Sequence, residues 1–366
     1  MLNAKFSLSF GNFRLEPIFH SHEGNITAIF GQSGAGKTSI VKTIAGLITP
    51  NKGTIKMGEN ILYEGIKGIN MPPHKREVGY VFQDGRLFPH MSVKQNLLYG
   101  LRNRLSPQNT YDFEDIVKLL HLRELLDRMP PKLSGCEIQR TAIGRALLSY
   151  PRLLLMDEPL ASIDLQHRHE ILPFIKSIRE SLGITIIYVT HSIEEVIYLA
   201  DDIILISEGK VVAQDSVETI MSRLDLLPLT NQYDAGSVIS VKYIKYDSVY
   251  DIGELEFQGG TLHIPGLNGQ INEPFRAHIR ARDVSLMLAK PEDTSVLNVL
   301  EGNIIQVSWN KTPHIDLLID VGVPLIATIT KKSFDTLDLR VGSTVFAMIK
   351  AVAIKKHYFS PDKPKV

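Results

Sequence analysis

The chain carries Gly31-Gln32-Ser33-Gly34-Ala35-Gly36-Lys37-Thr38 between a predicted strand and a predicted helix. This stretch fits the pattern G-x-x-x-x-G-K-[ST], a loop whose backbone N–H groups surround the phosphates of ATP or GTP. The apolar residues 25–30 predict the buried strand, and residues 38–44 predict the helix whose N-terminus meets the phosphates. We therefore expect a nucleotide to bind here.

The predicted nucleotide contacts are Gly31, Gln32, Ser33, Gly34, Ala35, Gly36, Lys37, Thr38 and Ser39. The glycines let the backbone come close to the anion. Lys37 supplies positive charge to the β- and γ-phosphates, and the Thr38 hydroxyl is a ligand for Mg²⁺. A glycine-rich turn without a ligand is the alternative, and the flanking strand and helix argue against it.

Length and composition are those of a globular protein with two or three domains: 366 residues, 44% hydrophobic and 22% charged. Lys+Arg and Asp+Glu are 40 each, so the net charge predicts no nucleic-acid partner. The single cysteine excludes an internal disulfide framework and fits a reducing cytosol. The sequence has no apolar run of about 18 residues and no basic region followed by an apolar stretch at its start. We expect no transmembrane helix and no signal peptide, and any membrane role to be peripheral.

Strand-like and helix-like segments alternate in the first part of the chain. Residues 153–157 and 184–190 are short apolar runs typical of central parallel strands, and residues 165–182 between them have helical spacing. Residues 203–213 predict a hairpin that closes this part. The alternation predicts an α/β domain with a mainly parallel sheet.

The pattern changes after about residue 224. Residues 226–236 contain turn residues and little periodicity, as in a linker. From Ser237 onward, short alternating segments with Gly/Pro turns predict a small all-β barrel. Its predicted strands include 253–257, 275–280, 315–321 and 343–349.

Five further motifs follow one another in a fixed order: Gly79–Asp84, Leu133–Arg140, Leu153–Pro159, Ala161–Asp164 and Thr190–Ser192. Together with the phosphate loop they resemble the ATPase subunit of ATP-binding-cassette transporters, over roughly residues 1–225. The resemblance implies an α/β P-loop NTPase cassette with a mainly parallel sheet and a helical signature subdomain. A small all-β, OB-like barrel follows it.

The resemblance also implies a magnesium site made by Thr38, Asp157 and Gln83. Asp157 ends a buried strand and would hold Mg²⁺ directly or through water. Gln83 would sense both Mg²⁺ and the γ-phosphate and link the nucleotide state to the partner surface. The alternative for Asp157 and its neighbour is a solvated pair at a strand end.

Three residues are the predicted catalytic groups: Lys37, Glu158 and His191. Phosphoryl transfer depends mainly on positioning and on stabilisation of charge. Glu158 would polarise the attacking water as general base, and His191 would contact the γ-phosphate and orient that water. A lone histidine is more often structural, but His191 follows a β-branched strand at the expected end of the sheet.

The signature segment implies a homodimer that sandwiches two ATP. In the family, Ser134 and Gly135 face the γ-phosphate of the opposite subunit, Glu137 belongs to the same segment, and Asp164 lies at the seam. The second glycine of the family's signature is Cys136 here. We predict that ATP still binds, that turnover is modest, and that a thiol reagent inhibits. Neutral drift at this position is the alternative.

Phe10 is the candidate for stacking on adenine. Phe13 is nearly as good a candidate, and either ring fits a core position equally well.

Two segments, residues 26–39 and 79–90, look like the versions found in molybdate-importer ATPases. Residues 294–300, with strands to about residue 354, resemble the molybdate-binding β-barrel appended to those ATPases. The implied family is the energy-coupling subunits of bacterial molybdate importers. Its members act with membrane permease subunits, reach a periplasmic substrate-binding protein through the permease, and sit peripherally on the cytoplasmic face of the inner membrane.

Other functions stay open at this point. An importer of sulfate, tungstate or ferric iron would use the same ATPase residues. A soluble ATPase of nucleic-acid maintenance is disfavoured by the neutral charge. A molybdate-binding regulator with a degenerate cassette is disfavoured by the intact Lys37, Asp157, Glu158 and His191.

The predicted domains are a cassette over 1–228, a linker with β segments over 229–288, a molybdate-binding-type barrel over 289–357 and a frayed tail over 358–366. In the anion-binding version of the barrel a motif resembles Ser-Ala-Arg-Asn, so Ser295 and Asn298 are candidate oxyanion ligands. The arginine position is Leu297, which removes the strongest donor. A structural or dimer-contact role for the barrel is at least equally favoured.

Overall fold

The computed structural model describes residues 1–102, 111–230, 235–309 and 313–358. The chain divides into two compact units, Met1–Asp215 and Ser216–Val366. None of the described helices is long and apolar enough to cross a membrane.

In its described residues, the first unit combines two sheets with six α-helices. In chain order its elements are β1 (Leu2–Phe10), β2 (Phe13–Leu15), β3 (Ile18–Ser21), β4 (Ile26–Phe30), α1 (Lys37–Ile44), β5 (Lys52–Met57), β6 (Asn60–Glu64), β7 (Ile69–Asn70), β8 (Val78–Val81), α2 (Val93–Arg102), α3 (Phe113–Leu119), α4 (Gly135–Leu147), β9 (Leu153–Asp157), α5 (Leu165–Leu182), β10 (Thr185–Thr190), α6 (Ile193–Leu199), β11 (Asp202–Ser207) and β12 (Lys210–Ser216).

The central sheet has the strand order β12-β11-β4-β10-β9-β8. β11, β4, β10, β9 and β8 pair in parallel, and every residue of β4, β9 and β10 is buried. Helices cover both faces of such a sheet, so its strands are continuous apolar runs. The predictions of parallel strands, of the helix over 165–182 and of the closing hairpin are confirmed.

A second, antiparallel sheet of the first unit was not predicted. Its order is β2-β1-β5-β6-β7, and β3 pairs with β1. Burial alternates along β1, because one face of this sheet packs on the core and the other does not. Single strands of this length with a polar face give a weaker sequence signal than the buried runs of the central sheet.

The helices α2, α3 and α4 form the predicted helical subdomain. Gly144 lets α4 approach its neighbours, since a Cβ there would lie 2.8 Å from Leu97 and 3.2 Å from Leu120. Leu97 and Leu120 are fully buried. The signature segment begins at the N-terminus of α4, so this packing sets its position.

The second unit consists of two five-stranded antiparallel sheets. Its elements are α7 (Val217–Met221), β13 (Gly236–Asp247), β14 (Ile252–Phe257), β15 (Gly260–Pro265), β16 (Pro274–Arg280), β17 (Val284–Met287), β18 (Asn298–Trp309), β19 (His314–Asp320), β20 (Pro324–Thr330), α8 (Lys331–Thr336), β21 (Thr344–Ile349) and β22 (Lys355–Tyr358). The orders are β15-β14-β13-β16-β22 and β17-β21-β18-β19-β20. One hydrophobic core joins both sheets, in keeping with the predicted all-β, OB-like fold.

The observed division of the chain differs from the predicted one. The units part between Asp215 and Ser216, ahead of the predicted boundary at residue 228. Glu218 of α7 explains this, because it forms a 2.7 Å ion pair with Arg276 of β16 and accepts a hydrogen bond from Ser240. The predicted linker region 229–288 contains strands β13 to β17.

Parts of two predictions lie outside the described residues. These are residues 231–234 of the predicted linker and residues 359–366 of the predicted frayed tail. Tyr358, where that tail was predicted to begin, is the last residue of β22 and pairs with Phe275.

Candidate nucleotide site

The phosphate loop connects β4 to α1 through a backbone that only glycine adopts without strain. Gly34 and Gly36 have φ values of 83° and 98°. At Gly31 a Cβ would lie 2.2 Å from the carbonyl oxygen of Ile206, and at Gly36 it would lie 2.8 Å from Leu15. The loop therefore needs glycine for close approach at one end and for left-handed backbone at the other.

Lys37 is buried beneath this loop, with 5% of its surface exposed. Its Nζ donates hydrogen bonds to the carbonyl oxygens of Gly31, at 2.8 Å, and of Gln32, at 3.1 Å. Burial lowers the pKa of the Lys37 ammonium, while the nearby Glu158 and Asp157 carboxylates raise it. The lysine thus places a positive charge inside the loop, 3.9 Å from Glu158.

Asp157, the last residue of β9, receives two hydroxyl donors. Thr38 Oγ1 donates to Oδ1 at 2.8 Å, and the Tyr80 hydroxyl donates to Oδ2 at 2.9 Å. Burial raises the pKa of Tyr80, and the Asp157 charge adds to this effect, so the phenol stays protonated as a donor. The Asp157 carboxylate is therefore oriented toward the first turn of α1.

Glu158 has a left-handed backbone, with φ of 47°, which is uncommon for a residue with a side chain. Its N–H donates to the carbonyl of Val189 at 3.0 Å, so the neighbouring strand holds the turn. His191 follows that strand, and its Nδ1 lies 3.1 Å from Glu158 Oε2. The imidazole is about half exposed, with 55% of its side chain open to solvent.

The central sheet brings these groups together. β4, β10 and β9 are neighbours, and the register pairs Phe30 with Thr190 and Val189 with Asp157. The carboxyl ends of the three strands therefore align, which is where ligands bind in open α/β sheets. Asp157 ends one of these strands, and Lys37, Thr38, Glu158 and His191 follow the strand ends.

The signature segment starts α4 with a capping box. Ser134 Oγ accepts from the Glu137 N–H at 3.3 Å, and Glu137 Oε2 accepts from the Ser134 N–H at 2.7 Å. This assigns Glu137 a helix-capping contact. Ser134 and Gly135 are exposed, and neither contacts the phosphate loop of the same chain in any described hydrogen bond.

Cys136 faces inward, unlike its two predecessors in the signature. It is 7% exposed, and its Sγ donates to the carbonyl of His167 in α5 at 3.7 Å. Burial raises the pKa of this thiol. The inhibition by a thiol reagent stays a prediction, and the burial of Cys136 predicts that its alkylation is slow.

Gln83 and Asp164 lie on loops next to the strand ends. Gln83 is exposed, and its carbonyl oxygen accepts from Ser162 Oγ at 3.3 Å. Asp164 caps α5 by accepting from the His167 N–H at 3.1 Å, and the His167 ring lies 2.7 Å from the same carboxylate. The hydrogen bond to Asp164 raises the pKa of His167.

The two candidate adenine contacts sit opposite each other on the hairpin of β1 and β2, where Phe10 pairs with Phe13. Phe10 is 46% exposed, whereas Phe13 is partly buried against the core. A Cβ on Gly36 would lie 3.5 Å from the Phe13 ring. Phe10 therefore offers the open ring, and Phe13 the ring beside the phosphate loop.

The candidate oxyanion residues do not share such an arrangement. Asn298 is 1% exposed, and its side-chain amide spans to β15, accepting from the His263 N–H at 2.7 Å and donating to the His263 carbonyl at 3.1 Å. Ser295 is exposed. The Asn298 amide is thus engaged inside the protein, and Leu297 beside it is 51% exposed.

Sequence reasoning missed two groups of this site, Tyr80 and Glu195. Tyr80 lies in the strand before Gln83, and only the sheet register shows that its hydroxyl reaches Asp157. Glu195 is buried and accepts a hydrogen bond from Thr190, the residue before His191. The pattern Ser192-x-x-Glu195 is a capping signal that would have marked the start of α6.

Comparisons with known proteins show the family of the chain. A family model for the ABC transporter matches residues 17–161, and one for the TOBE domain matches residues 294–355. The molybdenum import ATP-binding protein ModC of Mesorhizobium japonicum is 44% identical over 347 residues, covering 94% of each chain. The protein of the same name from Rhodospirillum rubrum is 41% identical over 360 residues, covering 97% of each.

Solved structures resemble the first part of the chain. CbiO1 of Clostridium perfringens, part of the ABC transporter complex cbiONQ, is 26% identical with a TM-score of 0.52. The match covers 62% of this chain and 92% of that one. A nucleotide-free ATP-binding cassette from an ABC transporter is 23% identical, with a TM-score of 0.54. The match covers 62% of this chain and 96% of that one, and it shows that the two share a fold.

Proposed function

Because the chain belongs to the family of molybdenum import ATP-binding proteins, we propose that it is the ATP-hydrolysing subunit that powers a molybdate importer. The observation that carries this function is the convergence at three adjacent strand ends. Lys37 lies 3.9 Å from Glu158, and Glu158 lies 3.1 Å from His191. A buried cation, a carboxylate and an imidazole are the groups that phosphoryl transfer to water needs.

ATP binds through its phosphates to the loop of residues 31–39. The backbone N–H groups of the loop and the N-terminus of α1 attract the anion. In the structure the Lys37 ammonium is bonded to two loop carbonyls. When ATP binds, the ammonium turns toward the β- and γ-phosphates. Phe10 stacks on adenine, with Phe13 as the alternative that the same hairpin offers.

The residues at the end of β9 fit a magnesium ion. Thr38 Oγ1 and Asp157 Oδ1 are oxygen donors that already meet at 2.8 Å, and Mg²⁺ prefers oxygen ligands shared with substrate phosphates. Gln83 adds an amide from the neighbouring loop. Bound there, the ion would neutralise phosphate charge.

Glu158 and His191 act on the attacking water. The Glu158 carboxylate accepts the water proton as the oxygen attacks the γ-phosphorus, and the bond to the ADP oxygen breaks. His191 holds the water and the γ-phosphate in line. The left-handed backbone of Glu158 aims its side chain at His191 rather than along the strand.

The active unit is a homodimer with two sandwiched ATP molecules. The exposed Ser134 and Gly135 at the start of α4 are free to reach the γ-phosphate on the partner subunit, while Asp164 lies at the seam. Membrane permease subunits receive the motion, and a periplasmic binding protein delivers the anion to them. The subunit is associated peripherally with the cytoplasmic face of the inner membrane.

The test is ATP hydrolysis by the full chain reconstituted with its permease and binding protein. Molybdate-loaded binding protein should stimulate hydrolysis, and sulfate-loaded or empty binding protein should not. Glu158→Gln should bind ATP and lose hydrolysis by about a hundredfold or more.

The outcomes separate mechanism from cargo. Equal rates with every anion, with Glu158→Gln still inactive, would keep the transporter ATPase and reject molybdate. Glu158→Gln with wild-type turnover would reject the assigned general base.

A further inference from the structure

A buried polar network contacts both chain neighbours of His191, Thr190 and Ser192. Glu195 of α6 is 5% exposed, and its Oε2 accepts from the Tyr188 hydroxyl at 2.8 Å and from Thr190 Oγ1 at 2.7 Å. Ser192 Oγ accepts from the Glu195 N–H at 3.4 Å, and the Ser192 N–H donates to Thr190 Oγ1 at 3.0 Å. Both chain neighbours of His191 are therefore anchored to Glu195.

Arg168 of α5 connects this network to a second loop. Its Nη1 donates to the other carboxylate oxygen of Glu195 at 3.4 Å, and its Nε donates to the carbonyl of Ile163 at 2.9 Å. Ile163 lies in the loop that follows Glu158. In this loop the Glu158 carbonyl accepts a hydrogen bond from the Ala161 N–H at 3.1 Å. One guanidinium thus joins the loop after Glu158 to the segment that carries His191.

Removal of any one member should destabilise the whole network around Glu195. A buried carboxylate without its cation is strongly unfavourable, and hydrogen bonds in a low-dielectric interior reinforce one another. Burial raises the pKa of Tyr188 well above its ordinary value, and the Glu195 charge adds to the effect, so this phenol remains a donor. Both oxygens of Glu195 are used, Oε2 by Tyr188 and Thr190 and Oε1 by Arg168.

We propose that Arg168 is a positioning residue for ATP hydrolysis, holding the Glu158 loop and the His191 segment in register through Glu195. The inference rests on the proposed function, because it assigns a role in the same reaction. Arg168 itself touches neither Glu158 nor His191 in any described hydrogen bond or ion pair, and it acts through Ile163 and Glu195.

A matched control lies on the same helix. Arg179 also donates Nε to a backbone carbonyl, that of Gly24 at 3.1 Å, and Nη2 to a carboxylate, that of Asp201 at 3.3 Å. It makes the same kinds of bond away from the strand ends that carry the site. Arg168→Met and Arg179→Met therefore remove the same kinds of contact. Only the contacts of Arg168 connect segments that carry Glu158 and His191.

The experiment measures kcat, the KM for ATP and Tm for the full chain with its membrane partners and molybdate-loaded binding protein. We expect Arg168→Met to lower kcat about tenfold with KM within about twofold, because misplaced catalytic groups slow the chemical step. Arg179→Met should lower Tm to a similar degree and leave kcat within about twofold. Glu195→Gln should reproduce the kcat loss.

The double variant Arg168→Met/Glu195→Gln decides between linked and separate roles, and it leaves no unpaired buried charge if the single variant folds poorly. Groups acting as one unit should show no more than about a further twofold loss. The proposal would be overturned if the kcat losses of the two single variants multiplied in the double variant. It would also be overturned by an equal kcat loss in Arg179→Met or by an unchanged kcat in Arg168→Met. If the wild type lacks molybdate-stimulated hydrolysis, the proposed function itself fails.

Discussion

The phosphate loop at residues 31–39 and the segment at residues 294–298 both carry a short binding motif, but the polar side chains of the two motifs have different partners. In the loop, Lys37 and Thr38 meet carboxylates from another strand end, at 3.9 Å and 2.8 Å. In the second segment, Asn298 uses its amide to join β18 to β15. The side chains of the first motif therefore meet charged groups from another strand end, whereas the amide of the second bonds the backbone of a neighbouring strand.

The difference comes from where each motif lies. Parallel strands end together at one edge of a sheet, so polar residues that follow them converge. Asn298 begins β18 of one sheet, and it faces the backbone N–H and C=O of His263 in β15, an edge strand of the other sheet. The amide supplies both partners to His263.

The largest effect on activity is expected at the nucleotide site, where the three strand ends meet. Asp157→Asn removes the charge that Thr38 and Tyr80 orient, so ATP hydrolysis should fall by about a hundredfold or more. Ser295→Ala, in the other segment, is the control and should keep wild-type turnover. Steady-state ATPase assays with Mg²⁺ compare the two, and a loss confined to Ser295→Ala would reverse the comparison.

A structural role for Asn298 predicts an effect on stability instead. Asn298→Ala leaves the His263 N–H and C=O without their partner, which should lower the free energy of unfolding by about 1–3 kcal/mol. Asn303→Ala on the same strand removes an exposed hydrogen bond to Thr344 and should cost less. Chemical denaturation of the full chain measures both.

Molybdate sharpens this test. If Asn298 binds oxyanion, molybdate should raise the wild-type Tm and leave the Asn298→Ala Tm unchanged. We expect no molybdate-dependent difference between the two proteins, because the amide is already engaged.

Tyr80→Phe should have a smaller effect on hydrolysis at the nucleotide site. The change frees Asp157 Oδ2 from its 2.9 Å donor, so the carboxylate is less well oriented for a cation. We expect the Mg²⁺ concentration for half-maximal hydrolysis to rise about threefold to tenfold. Tyr63→Phe is the control, since that hydroxyl donates to the Pro50 carbonyl. An unchanged Mg²⁺ dependence would show that Tyr80 does not position Asp157.

The smallest effect is expected at Cys136. The side chain points away from the exposed Ser134 and Gly135, so Cys136→Gly should change turnover by no more than about threefold. Alkylation should be slow, and it should accelerate as pH rises toward the raised pKa of the thiol. Mass spectrometry of the timed reaction measures the rate of alkylation, and rapid modification with loss of activity at neutral pH would contradict this expectation.

The regular, buried parts of the first unit were predictable, and the contacts between distant segments were not. The strands that end at Phe30, Asp157 and Thr190 are continuous apolar runs, and the glycines of the loop mark its backbone. Tyr80 and Arg168 carry no such signal, because their partners are distant in sequence or belong to another element. The capping pattern at Glu195 marks a helix start and does not show that its carboxylate meets Arg168. The antiparallel sheet around β1 was missed since half of each strand faces away from the core.

The sequence by itself determined that the chain has a nucleotide loop, a buried parallel sheet and a β-rich second unit. Glycine geometry and apolar periodicity are local properties, and they act wherever the segment lies. Only the tertiary structure decided which polar groups meet: Glu158 with His191, Arg168 with Glu195, and Asn298 with His263. Those pairings depend on strand order and register, which bring together residues far apart in the chain.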